Sequence, residues 1–193
     1  MNVGVLELLL LRMGVAAPLF VGLAMASSRR ATTPVDRRTG LAILGLGFLG
    51  YYLASVLDFY GLQYLAANLE RLILYLYPTF VLLLGWVFFK RSVSLYQWAS
   101  IALTYIGICL VFGFQSVGVS SNWLMGAMLV GLSTLSYSIY VLFCGEGIPR
   151  VGPVRFTALV MLASTGFMGI HYVIVQGLAF PALYPQLVGL RKS

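Results

Sequence analysis

Six long apolar segments alternate with short loops along this chain, and all the positively charged loops lie on the same side of them. The segments are Val3–Ala26, Gly40–Gln63, Ala67–Phe89, Leu95–Phe114, Asn122–Gly145 and Pro153–Gly177. Each reaches or exceeds the roughly 20 residues that a helix needs to cross the hydrocarbon core of a bilayer. The pattern therefore predicts an all-α fold, a polytopic transmembrane bundle of about six helices in a lipid bilayer.

Basic residues mark every second loop. Eight of the 12 Lys and Arg residues lie in or next to the first, third and fifth loops: Arg29, Arg30, Arg37, Arg38, Lys90, Arg91, Arg150 and Arg155. The second and fourth loops carry none. Because Lys and Arg are retained on the cytoplasmic side of a membrane, loops 27–39, 90–94 and 146–152 are predicted to be cytoplasmic.

The composition excludes a water-soluble domain. Hydrophobic residues make up 61% of the chain and charged residues only 9%, whereas soluble domains have about 25% charged residues. The net charge of +7 is mostly explained by the basic loops, so no nucleic-acid partner is expected. We expect a cell membrane, and the absence of an organelle address or glycosylation acceptor fits a bacterial inner membrane.

Motifs that indicate an enzyme or a cofactor are absent or misplaced. Gly45, Gly47 and Gly50 match the dinucleotide-binding spacing G-x-G-x-x-G, but they lie inside an apolar span, where small residues instead let helices approach closely. His171 is the single histidine, and no H-E-x-x-H, G-x-S-x-G or cysteine cluster occurs. We therefore expect no catalytic residue, no metal and no cofactor.

Ionisable residues at membrane depth are the first candidates for a functional site. Each costs about 2.5–3.5 kcal/mol at a helix centre on insertion scales. The candidates are Arg12, Asp58, Glu70, Arg71 and His171, whose depths allow them to meet around one cavity. Other interpretations stay open: Glu70 and Arg71 are close enough to the interface to be solvated, His171 can be a packing residue, and Asp58 can be a structural partner of an arginine.

A polar stripe on the fifth segment indicates a second set of candidates. Ser136, Tyr137, Tyr140 and Cys144 follow Ser133 by three, four, seven and eleven residues, which places them on one helix face. In a membrane such a face turns toward protein or water. The stripe is equally compatible with hydrogen bonds between helices and with the lining of a substrate cavity.

Pro78 lies in the middle of the third segment, three residues after Tyr75. A proline removes one backbone donor and leaves the carbonyl four residues earlier without its helical partner, so a kink is expected there. Broken helices at mid-membrane are where transporters commonly build binding sites. Pro78 is therefore a candidate hinge, and Tyr75 is a candidate for the pocket beside it.

Three stretches of the chain form a recognisable pattern: Ser55–Tyr64, Leu69–Thr79 with its L-Y-P sequence, and Gln97–Gly107 after a basic turn. Together they resemble the EamA family of the drug/metabolite transporter superfamily. Leu8–Arg12 resembles the end of that family's second helix, and Gly126–Tyr140 resembles the first helix of its second repeat. The turn after the proline helix departs from the family pattern, because Lys90-Arg91 stands where a Glu is common.

The resemblance implies a ten-helix fold of two inverted five-helix repeats, of which this chain would hold helices two to seven. Residues 1–116 would be four helices of the first repeat, and residues 117–193 two helices of the second with a truncated tail. It also implies a permease that exports a metabolite, an amino acid or a drug-like compound by alternating access. The alternative is a non-transporting remnant, or a half-transporter that must self-associate.

These considerations assign provisional roles to the candidates. Arg12 would hold an anion or counter-ion, Asp58 and Glu70 a cation or proton, and Arg71 would be their partner. Tyr75, Tyr137 and Tyr140 would shape the pocket, His171 would be a further coupling candidate, and Pro78 would be the hinge.

Overall fold

The computed structural model describes residues 5–29, 35–90, 92–112 and 122–176. Within these ranges the chain is helical and forms no strand. The helices are α1 (Val5–Arg29), α2 (Arg37–Gly47), a π-helical turn (Phe48–Leu53), α3 (Ala54–Gly61), α4 (Ala67–Leu74), α5 (Tyr77–Phe89), α6 (Leu95–Phe112), α7 (Trp123–Val151) and α8 (Pro153–Gln176).

Five helical stretches of the described residues are long and apolar enough to cross a membrane. They are Leu6–Arg29, Arg37–Gly61, Ala67–Phe89, Trp123–Gly145 and Pro153–Val175. Helix α6, the fourth predicted segment, is helical over 18 residues, a rise of about 27 Å. Its predicted continuation to Phe114 lies outside the described residues, as do the predicted starts and ends at Val3 and Gly177. The all-α transmembrane class is thereby confirmed.

Helix α7 is the centre of the bundle. It packs against the continuous span of α2, the π-helical turn and α3 on one side, and against α4 and α5 on another. Helix α8 packs against α1 and α2. One buried cluster, containing Ile43, Tyr140 and Phe156, joins α2, α7 and α8, and a second, containing Leu9 and Met168, joins α1 and α8.

The helices alternate in direction, so the basic residues at their ends gather at one end of the bundle. Val35, just before α2, and Val151, at the end of α7, pack against the same cluster. Leu23 of α1 borders the same cavity as Val151 and Arg155. At the opposite end Gly61 of α3 meets Gly126 of α7. We call the end that carries Arg29, Arg37, Arg38, Lys90 and Arg155 the basic end.

Two glycines of the G-x-G-x-x-G sequence are positions of close helix approach, as the packing interpretation predicts. A Cβ atom at Gly47 would lie 2.8 Å from the carbonyl oxygen of Val160, and one at Gly50 would overlap the ring of Tyr140. Gly45 has open space around it. The sequence match therefore reflects packing of α8 and α7 against α2 and the π-helical turn.

Serine hydroxyls of α7 tie this helix to the π-helical turn and to α3. Ser136 Oγ donates a hydrogen bond to the carbonyl oxygen of Leu49 at 2.8 Å, and Ser133 Oγ donates to the carbonyl oxygen of Ala54 at 2.7 Å. In a π-helix each carbonyl accepts from the amide five residues later, one residue farther along than in an α-helix. Here the amide of Ala54 donates to the carbonyl oxygen of Leu49. The polar stripe of α7 thus makes bonds between helices.

The third predicted span is broken where Pro78 requires it. Helix α4 ends at Leu74, a turn covers Tyr75 and Leu76, and α5 begins at Tyr77. Pro78 stands in the first turn of α5, where its missing amide would have no helical partner in any case. The carbonyl of Leu74, four residues before the proline, loses its helical donor, which explains why α4 stops there.

One predicted loop differs from the structure. Helix α7 does not end near Gly145 but continues to Val151, so only Gly152 of the predicted 146–152 loop separates α7 from α8. Gly152 has a φ of 89°, a value that glycine adopts without strain, and Pro153 opens the next helix. A drop in hydropathy predicts where the chain leaves the lipid. Helix α7 continues beyond that point and ends only at Gly152, where the backbone leaves the helical conformation.

Candidate functional site

The candidate site is a cavity of about 350 Å³ between α1, the π-helical turn with α3, the α4–α5 break and α7. We call it the central cavity. Its lining combines two charged residues, four tyrosines and three hydroxyl residues with a few small or apolar ones. The polar members are Arg12, Tyr51, Ser55, Asp58, Tyr75, Tyr77, Ser133, Thr134 and Tyr137.

Asp58 is the least satisfied polar group of the central cavity. Its Oδ1 atom is shielded from solvent and has no hydrogen-bond partner among the described residues. A buried acceptor without a donor costs free energy, more so when it is charged. A residue that lines the cavity thus carries an unsatisfied acceptor.

Arg12 supplies the opposite charge on the same cavity. It lies on α1 and is exposed, and its guanidinium is within electrostatic range of Asp58. An arginine carries five N–H donors in a planar fork that suits carboxylate and phosphate groups. The central cavity therefore presents a guanidinium and a carboxylate together.

Four tyrosines form the remaining walls. Tyr75 and Tyr77 come from the break between α4 and α5, Tyr51 from the π-helical turn and Tyr137 from α7. The rings of Tyr77 and Tyr137 meet edge to face with centroids 6.0 Å apart. Ser138, next to Tyr137, places its Oγ 3.2 Å from the carbonyl oxygen of Tyr77. Helix α7 thus packs against the helix break and stabilises its position.

Of the sequence-predicted residues, Arg12, Asp58, Tyr75 and Tyr137 meet at this cavity, and Pro78 lies directly beyond its wall. Glu70 and Arg71 do not line it. Glu70 is buried on α4, within electrostatic range of Asp58, and Arg71 is exposed.

Tyr140 lies in the protein interior instead, and His171 is half-buried on α8. Tyr140 is 7% exposed and packs beside Tyr51, with ring centroids 5.1 Å apart. His171 Nδ1 is 2.9 Å from the hydroxyl oxygen of Tyr52, and the two rings meet edge to face. The packing interpretation of His171 describes its position well, because neither His171 nor Tyr52 lines the central cavity.

The sequence analysis did not predict four of the polar residues that line the cavity: Tyr51, Ser55, Tyr77 and Thr134. A signal for two of them was present. Tyr51, Ser55 and Asp58 follow at spacings of four and three, so they lie on one helical face together with the buried carboxylate.

A second, smaller cavity lies on the other side of the helix break. Its volume is about 200 Å³, and it is bordered by Tyr75, Pro78 and Thr79 and by a polar stripe of α6 that contains Gln97, Ser100 and Thr104. Thr79 Oγ1 and Tyr105 Oη lie 2.6 Å apart and join α5 to α6. Tyr75 borders both cavities, so the break separates two polar spaces.

Comparison with known proteins identifies the family. The model of the EamA-like transporter family matches residues 1–113. The chain belongs to this family. The matched region contains α1 through α6, and hence Arg12, Asp58, and Tyr75 and Tyr77 at the helix break.

Three relatives from Bacillus subtilis (strain 168) are named as transporters. The uncharacterized transporter YcbK is 27% identical over 127 residues, which cover 66% of this chain and 41% of the relative. YdfC is 26% identical over 125 residues (64% and 40%), and YxxF is 28% identical over 146 residues (74% and 46%), both also named uncharacterized transporters. This EamA-family chain spans less than half the length of these relatives, and no solved structure matches it.

Proposed function

We propose that the protein moves small molecules across the membrane and that the central cavity is its binding site. One observation carries this proposal: Arg12 and Asp58 line the same tyrosine-rich cavity, and Oδ1 of Asp58 has no hydrogen-bond partner among the described residues. Charges at membrane depth are costly and mark substrate or ion pathways. The family membership supports the same function.

The chemistry of the cavity favours a substrate that carries both a positive and a negative group. An ammonium would supply the donors that Asp58 Oδ1 lacks, and a carboxylate or similar acid would accept from the fork of Arg12. The tyrosine faces suit the apolar body between the charges and attract a cation. A volume of about 350 Å³ falls within the range of about 300–1,000 Å³ of small-molecule sites.

Alternating access would use the break at Tyr75–Leu76 as its hinge. The serines of α7 hold α3 and the π-helical turn by hydrogen bonds to backbone carbonyls, so this half of the wall is fixed. Across from it, α4 and α5 are separate short helices, and Pro78 cannot bond the carbonyl that would join them. Rotation at the break would turn Tyr75 from one cavity toward the other.

The orientation of the protein in the membrane is inferred from its positively charged residues. We infer a bacterial inner membrane with the basic end in the cytoplasm, because Arg29, Lys90 and Arg155 are near the same end and Lys and Arg are retained inside.

The test is an export assay on cells that express the protein. Cells that express it are compared with cells that express Asp58→Asn, and small amphoteric metabolites in the medium are quantified by mass spectrometry. We expect the active protein to enrich at least one such compound outside the cell and Asp58→Asn to abolish the enrichment. Thr165→Val, which changes a hydroxyl bonded within α8, is the matched control and should export normally. Equal export by Asp58→Asn would refute the site.

A second candidate is a half-transporter that closes its cavity by self-association. It is favoured by the exposure of Arg12, Tyr75 and Tyr77, which leaves one side of the central cavity uncovered by the described residues. Light scattering of the 193-residue chain in detergent separates the two: a defined dimer supports self-association, and a monomer refutes it.

A further inference from the structure

Two cavities between α5 and α6 continue from the helix break toward the basic end. The first is the cavity of about 200 Å³ described above, which shares Tyr75 with the central cavity and which we call the α6 cavity. The second, which we call the loop cavity, has a volume of about 160 Å³ and is bordered by Gly85 and by Ser92 in the loop that joins α5 to α6. Leu82 and Gln97 border both. The three cavities therefore follow one another from the helix break to a loop at the basic end.

The face of α6 that borders the α6 cavity is polar, and the opposite face is apolar. Gln97, Ser100 and Thr104 border the cavity and follow at spacings of three and four, which places them on one helix face. Leu103 and Ile106 border neither of these two cavities and are 71% and 56% exposed. In a bilayer a polar face turns toward protein or water. Helix α6 thus has lipid on one side and a polar space on the other.

The α6 cavity offers hydrogen-bonding groups, and none of its described lining residues is charged. Ser100 and Thr104 donate their hydroxyl protons to the carbonyl oxygens of Tyr96 and Ser100 in their own helix, and their oxygens keep lone pairs as acceptors. Gln97 Oε1 accepts from the amide of Ser94 at the start of α6. This cap does not use the two N–H donors of the Gln97 amide nitrogen. The lining therefore contains both donors and acceptors.

We propose that the α6 cavity and the loop cavity form the path that connects the central cavity to the basic end for a small amphoteric molecule. This inference rests on the proposed transport function and adds the route to it. A path must bind its substrate weakly enough to release it, and neutral hydrogen-bonding groups bind a charged molecule less tightly than charged groups do. Arg12 and Asp58 would hold the substrate, and Gln97, Ser100 and Thr104 would replace part of its hydration water on the way.

Thiol labelling of the 193-residue chain in nanodiscs tests whether water reaches this path. The native Cys109 and Cys144 are replaced by serine, and Thr104→Cys, Leu103→Cys and Ile106→Cys are introduced one at a time. Their reaction with a small cationic methanethiosulfonate is followed, since the thiolate is the reacting form and apolar surroundings disfavour it. We expect Thr104→Cys to react roughly tenfold or more faster than the other two, which lie on either side of it in depth.

Gly85→Leu tests whether the path runs through the loop cavity. The nearest atom to a Cβ at Gly85 is Leu142 Cδ1 at 3.6 Å, an ordinary contact, so a side chain can be added there and reduces the space. It should slow the labelling of Thr104→Cys severalfold. Gly45→Leu adds the same side chain on α2, where a Cβ meets nothing within 4 Å, and should leave the labelling unchanged.

Two further variants keep the test independent of any single substitution. Ser100→Cys, one turn before Thr104, should be labelled like Thr104→Cys. Val81→Phe, which reduces the loop cavity from one turn before Gly85, should act like Gly85→Leu.

Equal labelling of Thr104→Cys, Leu103→Cys and Ile106→Cys would overturn the path, because α6 would then have no side that water prefers. Labelling that neither Gly85→Leu nor Val81→Phe slows would overturn the connection to the basic end. Labelling requires no transport, so failure of the path is distinguished from failure of the central site, which is measured by export in Asp58→Asn.

Discussion

The ring of Tyr140 occupies the space beside Gly50 where any other residue would carry its Cβ atom. This contact brings α7 against the π-helical turn at the point where both contribute to the central cavity, since Gly50 and Tyr51 line the cavity and Tyr137 is one helical turn before Tyr140. The position of Tyr137 at the cavity thus depends on a glycine at residue 50.

Gly50→Ala is expected to destabilise the protein. The added methyl group has no room beside the buried Tyr140 ring, and overpacking of this kind costs about 1–3 kcal/mol. Gly45→Ala is the matched control on the same span, because a Cβ there meets nothing within 4 Å. Thermal unfolding in detergent should show a lower midpoint for Gly50→Ala alone. Equal midpoints would mean that Tyr140 does not pack against residue 50.

Ser136→Ala is expected to loosen the π-helical turn. The variant removes the hydroxyl that bonds the Leu49 carbonyl, and such bonds between membrane helices average about 0.6 kcal/mol. Hydrogen exchange should therefore speed up at the Ala54 amide, which bonds the same carbonyl, with only a small change in overall stability. Thr165→Val, whose hydroxyl bonds within its own helix, should leave that amide unchanged. Unchanged exchange in Ser136→Ala would contradict the link between α7 and the turn.

Pro78→Ala is expected to close the break between α4 and α5. Alanine supplies the amide that can bond the Leu74 carbonyl, so the two helices can merge. Amide exchange from Leu76 to Phe80 should slow, and ligand binding by the central cavity should weaken because Tyr75 would leave the turn. Pro18→Ala removes a proline inside α1, which is already continuous, and should not slow exchange in α4 and α5. Unaltered exchange at Leu76 would show that the proline does not maintain the break.

The fold class was predictable because the membrane allows few solutions. Lengths of apolar segments and the alternation of charged loops determine helix number and direction, and the break before Pro78 follows from the chemistry of proline. The π-helical turn was not predictable in the same way, since nothing in Phe48–Leu53 distinguishes it from α-helix. It forms where serines of α7 and the ring of Tyr140 contact it, and these contacts are far apart in sequence.

The candidate site was predictable only in part, for a geometric reason. Depth in the membrane can be estimated from a sequence, and it predicted one level for Arg12 and Asp58, which both line the central cavity. Rotation about the helix axis cannot be read in the same way, and it directs Arg71 outward and His171 toward Tyr52. Residues at the same membrane depth therefore lie on different helix faces, and only some of them line the central cavity.

Binding of three ligands with the same body tests the central cavity most directly. Phenylalanine, phenethylamine and 3-phenylpropionate share a ring and differ in which charges they carry, and their affinities for the 193-residue chain can be measured by the shift of thermal stability. We expect phenylalanine to bind roughly tenfold or more tightly than either analogue, because each analogue lacks one charged contact. Asp58→Asn should remove the preference over 3-phenylpropionate only, and Arg12→Gln the preference over phenethylamine only. If all three ligands bind equally, or if both variants weaken all three alike, the cavity does not recognise opposite charges and the assignment of Arg12 and Asp58 fails.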